Sequence, residues 1–174
     1  GSRVKTLGSS PNYIYAADHG VHDDTGVNST AGDIPADVMS DIASFSSLQK
    51  RQNFAVGLYF CDAGIGEIKA ALDDVSDDYV LVVHSDNGGS PCGSYCDSNN
   101  YPYRGIKFYD FEGAVKLPGL VYAPARLSKG TYSGLMHHVD WMATFAGLAS
   151  SAIDDATVDS LDHWDAFSTS TDDY

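Results

Sequence analysis

The sequence predicts an α/β fold, a layered domain with a largely parallel sheet flanked by helices. Three observations point there. Apolar runs and helical patterns follow one another in the order strand, helix, strand, loop, strand, helix. The run Tyr79-Val80-Leu81-Val82-Val83 is apolar at every position, as expected of a strand buried on both faces. Leu58, Cys61, Ile65, Ile68 and Leu72 recur at three- and four-residue steps, which aligns them along one side of a helix.

The elements follow in order. Tyr13-Ile14-Tyr15-Ala16-Ala17, after Pro11, is the first strand candidate. A polar stretch rich in Gly, Asp, Ser and Thr then runs from Asp18 to Asp37 and reads as a long loop. Loops longer than about 15 residues are usually functional or disordered. The helix is expected over 53–72, with Gly57, Gly64 and Gly66 lowering its propensity, so packing must hold it. The strand at 79–83 comes next, and 88–105 is a second long loop. Its Ser90-Pro91, Asn99-Asn100 and Tyr101-Pro102 pairs are turn chemistry. Residues 119–123 form a further strand, ended by Pro124. Leu135, Val139, Met142, Ala146 and Ala149 trace the last helical face, and beyond Ser150 the periodicity is weak. No repeat or linker divides the chain, so one domain is expected, with few strands for a free-standing doubly wound sheet.

Composition narrows the function. A chain of 174 residues that is 43% apolar is long enough to bury a core. Its 24 acids against 10 Lys and Arg give a net charge of −14. That balance excludes a nucleic-acid partner, which requires a basic footprint, and disfavours an anionic membrane surface. No run is long enough to span a membrane, and Gly1 to Lys5 holds no signal-peptide core. With three cysteines this is no disulfide scaffold. Cys61 falls in the helical pattern and reads as a buried thiol. Cys92 and Cys96 sit four apart in a Gly/Ser/Asn-rich loop, within reach of a disulfide if the loop curls. Asn28-Ser29-Thr30 is a glycosylation sequon. The cysteine pair, the sequon and the Ser/Asp/Tyr-rich surface together lean towards secretion.

The chemistry concentrates at Asp86-Asn87-Gly88-Gly89, directly after the second strand. In open α/β sheets ligands bind beyond the carboxyl ends of strands. Here an acid and an amide, both oxygen donors, stand side by side before two glycines that allow a tight turn. Hard oxygen ligands suit Ca²⁺ or Mg²⁺. An Asx turn closing the strand is the plain alternative.

Several blocks in order resemble the sulfatases, in particular the arylsulfatase B-like branch of the alkaline-phosphatase-like superfamily. Pro11 to Tyr15 followed by Gly20-Val21-His22 resembles the family's strand and active-site histidine. Ala63 to Leu72 resembles the helix before the metal strand, and His84 to Gly89 the metal-ligand motif. Asn99-Asn100-Tyr101-Pro102-Tyr103-Arg104-Gly105-Ile106-Lys107 resembles the loop that delivers a sulfate-contacting lysine. Phe111 to Ala114, His138 to Thr144 and Asp159 to Trp164 complete the order. The match covers residues 11–168, so the chain reads as the second half of a sulfatase catalytic domain with no separate second domain.

The resemblance implies a sulfuric ester hydrolase of an alkaline-phosphatase-like fold, its mostly parallel sheet incomplete without the upstream half. Asp86 and Asn87 would hold the cation, Ca²⁺ rather than Mg²⁺. Lys107 would lie against sulfate oxygens, and His22 would contact sulfate or protonate the leaving oxygen. The family's formylglycine arises from Cys-x-Pro/Ala-x-Arg, which none of the cysteines here satisfies. It is therefore expected on an upstream segment, and the chain is expected to act only with that N-terminal fragment or the remainder of its own chain. The substrate class is a small sulfate ester or a sulfated glycan, in a secreted or lysosome-like setting. Asp23 and Asp24 after His22 depart from the family, which has a small residue and then proline there. That departure keeps open a non-catalytic sulfatase-like component of an extracellular assembly. A related phosphoesterase or phosphonate hydrolase is the third reading.

Overall fold

The structure, a computed structural model, describes residues 13–17, 21–22, 34–91, 97–153 and 157–169. Its elements are α1 (Ala36–Phe45), α2 (Gln49–Asp73), β1 (Leu81–His84), α3 (Glu112–Val115), β2 (Gly119–Tyr122), α4 (Asp140–Leu148) and α5 (Trp164–Thr169). Two helices precede β1, α3 separates the strands and two helices follow β2; the described strands form a two-stranded sheet, β1 beside β2, and the larger parallel sheet expected from the sequence is not seen among the described residues. The chain divides into two compact units: Tyr13–Val75 with Leu81–Val121, and Ser76–Val80 with the residues from Tyr122 on.

In the first unit the core lies between α1 and α2. Ile34, Ile42 and Val56 are buried there, with Val38, Met39, Ala55 and Tyr59 packed against them. α1 starts after Pro35, and Asp37 in its first turn complements the positive end of the helix dipole. It was not expected from the sequence, where its start fell inside the polar stretch. α2 is longer than 53–72 and ends as Asp74 donates its backbone N–H to the Ala70 and Leu72 carbonyls. Its inward side is Val56, Gly57 and Ala71. Leu58 and Ile68 of the expected face are exposed, and Cys61 is half-buried rather than buried.

Residues 13–17 are not a strand: all five are irregular and exposed. A strand exists only where a neighbour takes up its backbone groups, and these residues make no ladder with a described strand. β1 begins two residues after the start of the apolar run, and β2 ends one residue before the expected end.

In the second unit the short α4 is fixed by polar contacts. Asp140 is buried at its start and accepts the N–H groups of His137 (2.7 Å) and Leu161 (3.0 Å). Thr144, fully buried, donates to the Asp140 carbonyl (2.8 Å) and accepts the His163 N–H (3.1 Å). The Ser160 hydroxyl donates to the Val139 carbonyl and accepts the Ala143 N–H. His163 places Nδ1 3.1 Å from the Tyr132 hydroxyl and Nε2 3.3 Å from an Asp140 carboxylate oxygen. The weakly periodic tail is thus stitched to α4 and forms α5, with Phe167 packing edge-on to Tyr132. Leu135, expected on the inward face, is 94% exposed. Arg126 grips Asp78 through two nitrogens at 2.6 and 2.9 Å, on the surface of this unit.

Candidate functional site

All residues of the expected metal and sulfate motifs among 84–116 belong to the first unit. After β1 the chain turns sharply. The Ser85 hydroxyl donates to the Asn87 carbonyl (2.8 Å), and the Asn87 Nδ2 donates to the Gly88 carbonyl (3.0 Å). The second bond fixes the carboxamide with Oδ1 as its remaining acceptor. Gly88 donates its N–H to the Ala114 carbonyl (2.8 Å). A Cβ on Gly88 would meet the Gly113 carbonyl and come within 2.8 Å of the Ala114 Cα, so only glycine lets the turn lie against α3.

The loop that follows returns to this turn. Lys107 donates its backbone N–H to the Gly89 carbonyl (3.1 Å), and Gly113 donates to the Arg104 carbonyl (2.8 Å). Gly105 between them has φ +93°, a conformation that favours glycine. Arg104 stacks its guanidinium 4.0 Å over the Phe111 ring, bracing the loop, and Lys116 lies 4.7 Å over Tyr103.

Asp86 is exposed at the turn, and Asn87 and Lys107 are half-buried. The structure therefore ties the backbone of Lys107 to the turn that carries Asp86 and Asn87. The Lys107 ammonium lies 5.4 Å from the Phe108 ring centroid and meets no carboxylate among the described residues. His22 is exposed in a turn bordered by residues outside the described set. Asn28, Cys92 and Cys96 lie outside the described residues, so the sequon and the disulfide stay expectations.

The donor set fits a hard cation in kind: a carboxylate and a carboxamide oxygen on adjacent residues of a pinned turn. It falls short in number, because Ca²⁺ takes about six to eight oxygens. Among the described residues no group of three or more His, Cys, Asp or Glu gathers into a metal site.

In the sequence Asn100 reads only as turn chemistry. Its Oδ1 accepts the Gly89 N–H (2.9 Å), and its Nδ2 donates to the carbonyls of Gly89 (2.9 Å) and Gly105 (3.1 Å). A carboxamide carries the donor and the acceptor needed to pair both backbone groups of one residue. Two adjacent asparagines in a turn-rich loop were the available signal, but not which of them faces inward. Ser98, buried beside Gly89, has no hydrogen-bond partner for its hydroxyl among the described residues.

Comparison with known proteins bears out the family resemblance. A family model described as Sulfatase matches residues 4–151. Arylsulfatase J of Mus musculus is 33% identical over 122 residues, 68% of this chain and 20% of that protein. An N-acetylgalactosamine-6-O-sulfatase of Bacteroides thetaiotaomicron is 31% identical over 114 residues, 59% of this chain and 22% of that protein. Arylsulfatase A of Homo sapiens is 26% identical over 121 residues, 68% of this chain and 24% of that protein. The chain thus spans between 20% and 24% of the length of these relatives.

Proposed function

The chain belongs to the sulfatase family, and from that premise we propose that it carries part of the metal- and sulfate-binding site of an arylsulfatase-type sulfuric ester hydrolase. It serves as the second half of the catalytic domain and completes a mostly parallel, alkaline-phosphatase-like sheet together with the upstream half. The observation that supports this reading is the bond from the Lys107 N–H to the Gly89 carbonyl, which ties the lysine's backbone to the residue two positions after Asn87.

Asp86 and Asn87 hold the cation, Ca²⁺ by family and by donor type, with the remaining ligands coming from the upstream half. The ion, when bound, supplies positive charge towards the sulfate oxygens. Lys107 offers its ammonium to the same oxygens from a half-buried position, where a point charge is less screened than in bulk water. His22 contacts the sulfate or protonates the leaving oxygen. The nucleophile, a formylglycine, belongs to the upstream half.

Exposed apolar side chains support an association of this kind. Leu58 and Ile68 on α2 and Leu120 on β2 are 48%, 39% and 55% exposed, apolar area left for the remainder of the domain to cover. The sequon at Asn28, the Cys92–Cys96 pair and the acidic surface favour a secreted or lysosome-like setting. No helix among the described residues is long and apolar enough to cross a membrane. Asp23 and Asp24 beside His22 favour one second reading, a sulfatase-like component without catalysis.

Turnover of an aryl sulfate and of the matching aryl phosphate by the complete protein tests the proposal. The expected result is calcium-dependent hydrolysis of the sulfate in clear preference. Preference for the phosphate would move the chain to the phosphoesterases, and turnover of neither would favour the non-catalytic reading.

A further inference from the structure

We propose that Asn100 is the positioning residue that couples the sulfate-binding lysine to the cation turn. The inference rests on the functional reading of Lys107, Asp86 and Asn87 and assigns the part of the loop that makes their spacing fixed. One carboxamide occupies both backbone groups of Gly89, the residue two positions after Asn87. The same Nδ2 reaches the Gly105 carbonyl, two positions before Lys107. Asn100 therefore joins the segment leaving the cation turn to the segment entering the lysine, from a point on neither.

Two further observations bear on its role. The Lys107 N–H donates to the same Gly89 carbonyl that Asn100 binds, so the oxygen is shared by the clamp and by the lysine it would position. Directly after Lys107, Phe108 adopts φ +79° with its ring 89% exposed. A bulky residue rarely occupies this region, and such conformations persist only where the surroundings over-determine them. No packing around the exposed ring holds Phe108 in that state. Phe108 is instead the third residue of a turn closed by the Tyr109 N–H on the Ile106 carbonyl (3.1 Å), and Lys107 within that turn is tied to the Gly89 carbonyl that Asn100 also binds.

The test is a double-mutant cycle in the complete protein, with inorganic sulfate as the probe in the presence of calcium. Calorimetry reads the sulfate Kd of wild type, Asn100→Ala, Lys107→Ala and the double variant, and thermal unfolding is followed in parallel. If Asn100 acts through Lys107, Asn100→Ala weakens sulfate binding roughly tenfold, and by less than about twofold once Lys107 is gone. Asn100→Gln, which keeps the carboxamide but displaces it by one methylene, should show the same coupling. Hydrogen exchange at the Gly89 amide should rise in both Asn100 variants. An equal Asn100 effect in both backgrounds overturns the inference, because it would then act independently of the lysine. Loss of the global fold in both Asn100 variants overturns it too, making the residue structural. A sulfate Kd unchanged by Lys107→Ala overturns instead the functional reading on which the inference stands.

Discussion

Lys107→Ala lowers aryl sulfate turnover by the complete protein by roughly 10²- to 10³-fold, the scale on which a fixed charge-stabilising group acts in a transition state. Lys107 is half-buried, and its ammonium meets no carboxylate among the described residues. Its backbone is held by the Gly89 carbonyl at 3.1 Å, so the chain around it is fixed while its charge remains available. Removing the side chain leaves that backbone bond intact, so the thermal midpoint should stay near wild type while kcat/KM falls. Lys107→Arg recovers only part of the loss, because a planar fork does not replace a compact point charge. Steady-state kinetics with an aryl sulfate, set beside a melting curve, checks both halves. Unchanged kinetics would leave Lys107 a surface lysine.

The second large effect concerns stability. Asp140→Ala destabilises the protein by about 2–4 kcal/mol, measured by chemical denaturation. The alanine leaves the N–H groups of His137 and Leu161 without their acceptor in a buried place and removes the carboxylate beside His163. Burial alone would raise the pKa of Asp140. The N–H groups of His137 and Leu161, and then His163, outweigh it, so the carboxyl titrates below its ordinary 3.8. A group with a lowered native pKa contributes stability that is present above the unfolded value and lost as pH falls through the folded one. Acidification from pH 7 to about 5 should therefore leave this contribution intact, and the loss should appear only below about pH 4. In Asp140→Ala that acid-dependent loss shrinks. A mutant as stable as wild type at neutral pH would contradict this role.

α2 and β1 are readable in the sequence because their signals are local. A three- and four-residue apolar rhythm marks the helix, and an unbroken apolar run marks the strand. The turn at Asp86 to Gly89 is readable for the same reason: residue types that bind cations follow a strand end directly. Residues 13–17 carry an equally apolar pattern and are irregular, since strand formation depends on a partner that the local sequence does not encode. The helical face drawn through Leu135 and Met142 misses the buried side of α4. Polar residues set that side: Asp140 and Thr144 face inward because Leu161 and His163 offer them N–H groups from far along the chain. Asn100 escaped for a related reason. Its type permits the clamp, but only the folded loop brings Gly89 and Gly105 to the same carboxamide.

A crystal structure of the complete protein grown with calcium and inorganic sulfate tests the central claim most directly. The expected result is a cation on the carboxylate of Asp86 and Oδ1 of Asn87, with a sulfate oxygen about 3 Å from the Lys107 ammonium. Calcium bound elsewhere, or sulfate seated without Lys107, would contradict it.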